Sequence, residues 1–343
     1  MTRASNPVIR RMAVVSLALA GLLAVVCCLA LALGASGAGF KALAAPWLGA
    51  GAVDPTQVTI VWEIRLPRVL LAALVGAALS LGGLVFQALL RNPLAEPYIL
   101  GVSGGSAVGA ILGILIGLTH PSAIGALAFA GSMATLAVVL FMVGGRAVQK
   151  NTLLLAGVMI NAFCSALIMF LVSLTTDSRL HNIMFWLMGN LSNVDLSQVG
   201  GLALILGPCF LILFGFSHTM NLLLMGREAA MSMGVNIRRV TLTLLITTSL
   251  MVSVTVSRCG LLGFVGLVIP HLLRMMLGAD HRVLVPACLL GGGAFMVVCD
   301  LLARTLPRQG EMPVGVVTAM IGAPVFIYLL RRAAGKGGDG TGR

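Results

Sequence analysis

Residues 217–239 read SHTMNLLLMGREAAMSMGVNIRR, a charged segment that lies between two long apolar runs. Two glycines within it, Gly226 and Gly234, bracket one short helix. A helix of this length is unstable in isolation, so tertiary contacts must order it. The segment therefore has the character of a piece of soluble protein placed between two membrane spans.

This short helix is predicted to be amphipathic. Ala229, Ala230 and Met233 fall on one face at positions i, i+1 and i+4, whereas Arg227 and Glu228 point elsewhere. A small amphipathic helix in a cytoplasmic loop is what a soluble partner would need in order to push on a membrane protein. A driven transporter is therefore the leading functional hypothesis.

Composition excludes a soluble globular domain. Of 343 residues, 59% are hydrophobic and only 9% are charged, and the mean hydropathy is +1.07. A soluble surface would need far more charge. Because each span needs about 20 largely apolar residues, we predict an all-α polytopic membrane protein. Ten candidate transmembrane helices lie near residues 12–34, 68–90, 100–118, 122–143, 152–174, 196–217, 240–257, 260–277, 283–303 and 313–330.

The net charge of +12 has a topological explanation. The basic residues lie in loops between spans rather than along one polar face, which argues against a nucleic-acid partner. With the N-terminus placed inside, 15 Lys and Arg residues lie on the inner side and 7 on the outer side. This positive-inside bias predicts an even number of spans with both termini in the cytoplasm.

The chain is predicted to form one transmembrane permease domain over residues 1–332, with a loop at 218–239 and a disordered cytoplasmic tail at 333–343. A cleaved signal peptide is the alternative for the N-terminus, but the apolar run 12–33 is too long for one. The seven cysteines lie in apolar segments, with neither zinc spacing nor a disulfide framework.

Glycine recurs at every fourth position of the third span, at Gly101, Gly105, Gly109, Gly113 and Gly117. Such rows of small residues let two helix backbones approach closely in a membrane. We expect packing within the chain rather than a dimer seam.

Arginines at the predicted outer side indicate a second functional surface. Arg65 and Arg68 precede the second span, where positive charge opposes the positive-inside rule. With Arg304 and Arg308 they are predicted to form an exposed basic collar for an acidic protein that docks from outside. Lipid headgroup binding is the alternative. Asp300 lies four residues before Arg304, so a structural ion pair is expected there.

No arrangement typical of an enzyme is found in the sequence. The ten acidic residues are too scattered for a catalytic or metal site. His271 follows Pro270 within a span, so we expect it to bond a carbonyl that the proline leaves without a partner. The chain has no Walker A motif, so another chain must hydrolyse any ATP. We expect no catalytic residue, metal or bound cofactor in this chain.

Several separated stretches resemble one transporter family. RLPRVLLAALVGAALSLGGLVFQALLRNPLAEPYILGVSGG (65–105) is similar to the FecCD family of ABC-importer permeases, which serve uptake of iron chelates, haem and cobalamin. GFVGLVIPHLLRMMLGADHRVLVP (263–286) and EMPVGVVTAMIGAPVFIYLLRR (311–332) look like the last three spans of that family. MGREAAMSMGV (225–235) looks like its coupling loop. The likeness covers nearly the whole chain in the right order.

This resemblance implies a type II ABC importer permease in the bacterial inner membrane. It implies a homodimer around one translocation path, two ATPase subunits that use ATP and Mg, and an extracytoplasmic substrate-binding protein. Arg65, Arg68 and Arg304 would receive acidic side chains of the binding protein. The residues implied in ATPase coupling are Gly226, Arg227, Glu228, Ala230, Met231, Met233, Gly234 and Val235.

The resemblance associates the path with the fifth and tenth helices, and a cytoplasmic gate with Asn151 and Thr152. Asn161 and Ser165 lie four residues apart in the fifth span and share one helical face. Pore lining and helix-to-helix hydrogen bonding are equally open interpretations of this pair.

The resulting hypothesis is the membrane subunit of an ATP-driven importer for a metal chelate. Ferric siderophore is the favoured cargo, with haem and cobalamin as rivals. The alternative is an autonomous ion-coupled secondary transporter or channel. A membrane-embedded enzyme is disfavoured because the sequence offers no nucleophile and base arrangement.

Overall fold

A computed structural model describes residues 7–34, 39–45, 54–143, 150–175, 177–192, 194–307 and 310–337. Every regular element in these ranges is helical. The first helices are α1 (Pro7–Ala32), α2 (Phe40–Leu43), α3 (Pro55–Thr59), α4 (Leu66–Leu90), α5 (Val102–Leu115), α6 (Pro121–Val143), α7 (Lys150–Ser173) and α8 (Asp177–Met188). The others are α9 (Leu196–Gly215), α10 (Ser217–Leu224), α11 (Arg227–Ser232), α12 (Ile237–Cys259), α13 (Val265–Leu277), α14 (His281–Thr305) and α15 (Val314–Gly337). A π-helical turn, Ile60–Arg65, joins α3 to α4, and a 3₁₀ turn, Pro97–Leu100, precedes α5.

The ten predicted spans are confirmed as apolar helices. Seven helical stretches in the described ranges are long and apolar enough to cross a membrane. Three shorter apolar helices, Val102–Leu115, Val265–Leu277 and Val314–Leu329, supply the others. The chain is a multi-pass, all-α membrane protein.

Helix α4 lies at the centre of the bundle and packs against α14, α13 and α12. Close approach depends on glycine pairs, because a Cβ atom at Gly76 would overlap the carbonyl oxygen of Gly292. A Cβ atom at Gly83 would likewise overlap the carbonyl oxygen of Gly266. Such contacts gain dispersion energy where lipid and side chains are equally apolar. The α4 core is therefore held by backbone-to-backbone packing.

The glycine row of α5 packs within the chain, as predicted. A side chain at Gly105 would meet the carbonyl oxygen of Gly131, and one at Gly109 would meet that of Leu127. Both partners belong to α6. The row thus explains the close α5–α6 pair.

Helices α5 and α13 are short because the 3₁₀ turn Pro97–Leu100 precedes α5 and an irregular segment precedes α13. The Tyr98 hydroxyl donates to the carbonyl of Leu262 at 2.6 Å and accepts from the amide of the same residue at 3.1 Å. Phe264, directly before α13, has a φ of 68°, an uncommon conformation for a bulky side chain. The hydroxyl of Tyr98 thus supplies hydrogen-bond partners for backbone groups where the two segments meet. Irregular backbone buried in a membrane protein requires such partners.

Helix α14 connects two polar ends of the molecule. Its N-terminal residue, His281, contacts α10, and its last turn carries Arg304. A helix of 25 residues is about 37 Å long. We call the end that carries α10 and α11 the α11 end, and the opposite end the arginine end.

Helix α15 continues to Gly337, so it enters the predicted tail segment 333–343. Residues 338–343 lie outside the described residues. Disorder of that terminal part stays a prediction.

Candidate functional site

At the α11 end, the predicted short helix is present as Arg227–Ser232. Gly226 precedes it with a φ of 123°, and Gly234 follows it with a φ of 80°. Both angles favour glycine, which has no Cβ atom to clash. The amide of Val235 donates to the carbonyl of Ala230 at 3.0 Å and closes the helix C-terminus. The two glycines therefore fix where α11 starts and stops.

Only one side chain of α11 is buried. Ala230 is fully buried and packs into the core, whereas Arg227 and Glu228 are exposed. Met233, which the sequence places on the same face as Ala230, is 55% exposed. A six-residue helix makes fewer than two turns, so its packed face has room for one anchor. Met231 is 49% exposed and adds to the methionine surface.

A polar network joins α10 to the start of α14. The side-chain amide of Asn221 donates to Asp280 Oδ1 at 2.8 Å. Asn221 Oδ1 lies 2.8 Å from both the backbone N and the ring Nδ1 of His281. Asp280 also caps α14 by accepting from the amide of Arg282, and its carboxylate pairs with that guanidinium at 2.7 Å. The Arg282 guanidinium, with help from Asn221, holds the pKa of the Asp280 carboxyl well below its usual range.

A cavity of about 280 Å³ opens beside α11. Its polar lining consists of Arg91, Asn151, Arg227 and Thr241, and apolar side chains of α4, α7, α10 and α12 complete it. The structure thus brings the predicted gate residue Asn151 and the predicted coupling residue Arg227 to one cavity. Thr152 is exposed but does not line it.

At the arginine end, one buried carboxylate holds two arginines. Asp300 is fully buried, and Arg68 Nε donates to its Oδ1 at 2.8 Å. Arg304 Nε lies 3.0 Å from Asp300 Oδ2, which confirms the expected ion pair between residues four apart. Arg68 also donates to Glu311 Oε2 at 2.6 Å. The charges are therefore balanced mainly inside the chain.

The C-terminus of α1 supplies further acceptors. Arg65 donates to the carbonyl of Leu31 at 2.7 Å, and Arg304 donates to that of Ala30 at 3.2 Å. The last carbonyls of a helix lack intrahelical partners and carry partial negative charge, so they favour cations. The predicted exposure of the collar is wrong, because Arg65, Arg68 and Arg304 are 5%, 7% and 7% exposed. Internal carbonyls and carboxylates compensate their burial, and Arg308 lies outside the described residues.

Helix α7 presents a broad exposed face. Asn161 and Ser165 are both exposed on it, together with apolar neighbours such as Phe163 and Met169. Asn161 lies close to α5, since a Cβ atom at Gly104 would sit 3.0 Å from its Oδ1. Helix α15 exposes a comparable face that includes Met320, Ile327 and Tyr328.

The expected bond of His271 is wrong. Among the described residues neither ring nitrogen has a hydrogen-bond partner. The ring instead makes an edge-on contact with Phe326, with centroids 6.2 Å apart. Aromatic packing from α15, rather than a carbonyl freed by Pro270, determines its environment.

Sequence reasoning missed three residues of these networks: Glu311, Asn221 and Asp280. Glu311 is the first residue of the stretch 311–332, but nothing local marks it as the partner of Arg68, 243 positions away. Asp280 precedes α14 at a position that favours a capping carboxylate, which is a readable signal. Asn221 offers no comparable pattern.

Comparison with known proteins gives concordant matches. The model of the FecCD transport family matches residues 22–332. An uncharacterized ABC transporter permease protein of Bacillus subtilis, YvrB, is 43% identical over 291 residues, which are 82% of this chain and 81% of that protein. The vitamin B12 import system permease protein BtuC of Klebsiella pneumoniae is 42% identical over 280 residues, 81% of this chain and 84% of that protein.

A solved structure agrees with these matches. It is described as an inward-facing conformation of a metal-chelate type ABC transporter. The TM-score is 0.82 at 33% identity, over 92% of this chain and 98% of the other.

Proposed function

Because the chain belongs to the FecCD transport family, we propose that it is the membrane subunit of an ATP-driven importer that moves an intact metal chelate. The exposed α11 carries this proposal. The fold buries Ala230 of α11 and leaves Arg227, Glu228 and Met231 exposed, together with Met233 directly after the helix. An exposed surface of this kind is typical of a partner-binding site. We assign the α11 end to the cytoplasm, with both chain termini, and the partner to an ATPase subunit.

Gly226, Ala230, Gly234 and Val235 would hold α11 in shape, and its exposed side chains would contact the ATPase. Methionine suits such a contact because it is flexible and polarizable. Arg227 and Asn151 line the same cavity, so movement of α11 would change the surroundings of the proposed gate. ATP and Mg would be bound by the ATPase alone.

We assign the arginine end to the side where a substrate-binding protein docks. Arg68 and Arg304 pair with Asp300, and Arg68 also pairs with Glu311, whereas Arg65 donates to the carbonyl of Leu31. Three arginines and two carboxylates leave one excess positive charge among these five groups. Glu311 is half exposed, so acidic side chains of the docking protein could compete with it for Arg68. Electrostatic complementarity of this kind mainly sets the orientation and rate of docking.

A second copy of the chain would cover the exposed faces of α7 and α15 and enclose the path. Asn161 and Ser165 would then line it. Among the described residues neither side chain hydrogen-bonds to another helix, which favours pore lining over helix-to-helix bonding. A path with few strong ligands would suit the release of an intact complex.

The sequence alone favours ferric siderophore as the cargo. Because two relatives are vitamin B12 import permeases, we rank cobalamin above ferric siderophore. Haem remains the third candidate. Co-purification of the binding protein followed by an absorption spectrum of its bound chelate distinguishes the three, because each has a different chromophore.

The central test uses the triple variant Arg227→Glu, Met231→Ala, Met233→Ala in liposomes with the ATPase and binding protein. We expect stimulation of ATP hydrolysis by the loaded binding protein to fall at least tenfold, as when contacts at the centre of an interface are lost. The altered side chains are exposed, so stability should change by less than about 0.5 kcal/mol.

Met275→Ala with Met276→Ala is the matched control, because these methionines are also exposed but lie outside α11. It should keep stimulation. Uptake by the unaltered chain alone, driven by an ion gradient without any ATPase, would instead support the autonomous carrier.

A further inference from the structure

The polar contact between α10 and α14 has an unusual density of bonds. One side chain, Asn221, donates to Asp280 and accepts from both the backbone and the ring of His281, with all three distances at 2.8 Å. We call this arrangement the Asn221 bracket. An amide oxygen only accepts, so the ring must carry its proton on Nδ1. The three bonds therefore fix one rotamer of Asn221 and one tautomer of His281.

Apolar packing surrounds the bracket but does not replace it. Met220 and Leu223 of α10 are buried against the core, and His281 is fully buried. Apolar contacts are non-directional and permit one helix to slide on another. Directed hydrogen bonds in a buried setting oppose such sliding because breaking them leaves polar groups without partners.

The position of the bracket along the chain is as informative as its geometry. Only Met225 and Gly226 separate α10 from α11, and Asp280 and His281 begin α14. At its other end α14 carries Asp300 and Arg304, which hold Arg68 and the end of α1. One continuous helix thus joins the α11 neighbourhood to the arginine end.

We propose that Asn221 is a positioning residue that ties the α10–α11 segment to the N-terminus of α14, so that displacement of α11 moves α14 as a unit. This inference rests on the proposed function, in which α11 receives the movement of an ATPase. Without the Asn221 bracket, α10 would slide over α14, and the displacement of α11 would not be transmitted to α14. ATP would still be hydrolysed, but less cargo would move for each ATP.

The test measures cargo transported per ATP hydrolysed in liposomes that contain the full transporter, with cyanocobalamin, a ferric hydroxamate and haem as separate probes. Asn221→Leu removes the bonds at similar volume, and Asn221→Asp sets a second carboxylate against Asp280. Both should lower the ratio about tenfold, an effect of the size found for coupled neighbours. Asn92→Leu is the matched control, because the side chain of Asn92 accepts one local bond, from the amide of Leu94. It should keep the ratio.

A second substitution tests specificity. Asp280→Asn alone keeps an oxygen for capping and should lower the ratio less than threefold. Combined with Asn221→Asp it removes the repulsion between carboxylates, and the ratio should return to within about threefold of the unaltered chain. A ratio that stays normal in Asn221→Leu, or a double variant no better than Asn221→Asp, would overturn the proposal.

Hydrogen exchange on the unaltered transporter covers the case in which a variant fails to assemble. Residues 217–224 and 280–285 should change their amide protection together when ATP is added. A change confined to 217–224 would contradict the bracket. Failure of the proposed function looks different, because the unaltered chain itself would then show no ATP-driven uptake.

Discussion

The two ends of α14 treat charge in opposite ways. At the arginine end, Arg68 and Arg304 are buried around Asp300, and helix carbonyls supply the remaining acceptors. At the α11 end, the Asp280–Arg282 pair is partly open to solvent, and the charged residues of α11 are exposed. The arginine end buries its charges, whereas the α11 end leaves its charges exposed to solvent.

This difference in burial indicates that the arginine end contributes more to the stability of the fold. Buried ions must be compensated, so removing one partner of a buried pair is costly, whereas exposed pairs contribute little. We infer that substitutions at the arginine end mainly affect folding and those at the α11 end mainly affect coupling. The following predictions test that division.

The largest effect is expected for Asp300→Asn. The change leaves Arg68 and Arg304 buried near each other without their shared carboxylate, which should cost about 3–5 kcal/mol. We expect a large loss of folded protein in the membrane and a strongly reduced unfolding temperature, measured by size-exclusion chromatography and a thermal unfolding assay.

Glu311→Gln is the control at the same end. Its side chain is 49% exposed, so losing its charge should cost less than about 1 kcal/mol. If Asp300→Asn unfolded at the same temperature as Glu311→Gln, the arginine end would not be the fold-supporting end.

An intermediate effect is expected for Ala230→Glu at the α11 end. A carboxylate cannot remain in that buried position without a partner, and releasing α11 between its two glycines is easier than unfolding the bundle. Amide exchange over residues 227–235 should rise to that of an open loop, while the unfolding temperature of the bundle changes little.

Ser232→Glu introduces the same charge at an exposed position of α11 and is the matched control. It should leave exchange over 227–235 unchanged. Equal exchange in both variants would show that Ala230 does not anchor α11.

The sequence predicts that the arginine end and the α11 end both carry functional residues, but it does not predict which of those side chains are buried. Hydropathy locates the seven long apolar helices and the three shorter ones, and glycine brackets locate α11, because both signals are local. The pairing of Arg68 with Asp300 and Glu311 depends on α4 and α14 being neighbours, which no local pattern specifies. Positive charge outside therefore suggested an exposed collar. The burial of Arg65 follows from the C-terminal carbonyls of α1, whose orphan acceptors are visible only in three dimensions.

The same limit applies at the α11 end. Helix periodicity placed Ala230 and Met233 on one face, but it could not say that a six-residue helix has one anchor. The sequence could not predict the Asn221 bracket because three helices separate Asn221 from Asp280. Short-range rules thus locate elements, and long-range packing assigns the charged side chains.

The smallest effect is expected for Asp280→Asn, and salt distinguishes it from Asp300→Asn. Raising salt from 0.1 M to 1 M shortens the Debye length from about 10 Å to about 3 Å. Screening should reduce the already small unfolding-temperature difference between Asp280→Asn and the unaltered chain, at most about 2 °C. The difference for Asp300→Asn should persist, since solvent ions do not reach a buried pair.

The pH dependence of this smallest effect follows from the lowered pKa of Asp280. A carboxyl whose folded pKa lies below its unfolded value near 4 stabilises the fold above that value. Its contribution is lost as the pH falls towards the folded pKa. The difference between Asp280→Asn and the unaltered chain should therefore be constant from pH 8 to about pH 5 and shrink below about pH 4. A difference that grew in acid would mean that burial raises the folded pKa of Asp280 more than Arg282 and Asn221 lower it, and Asp280 would then not belong to a solvent-exposed end of α14.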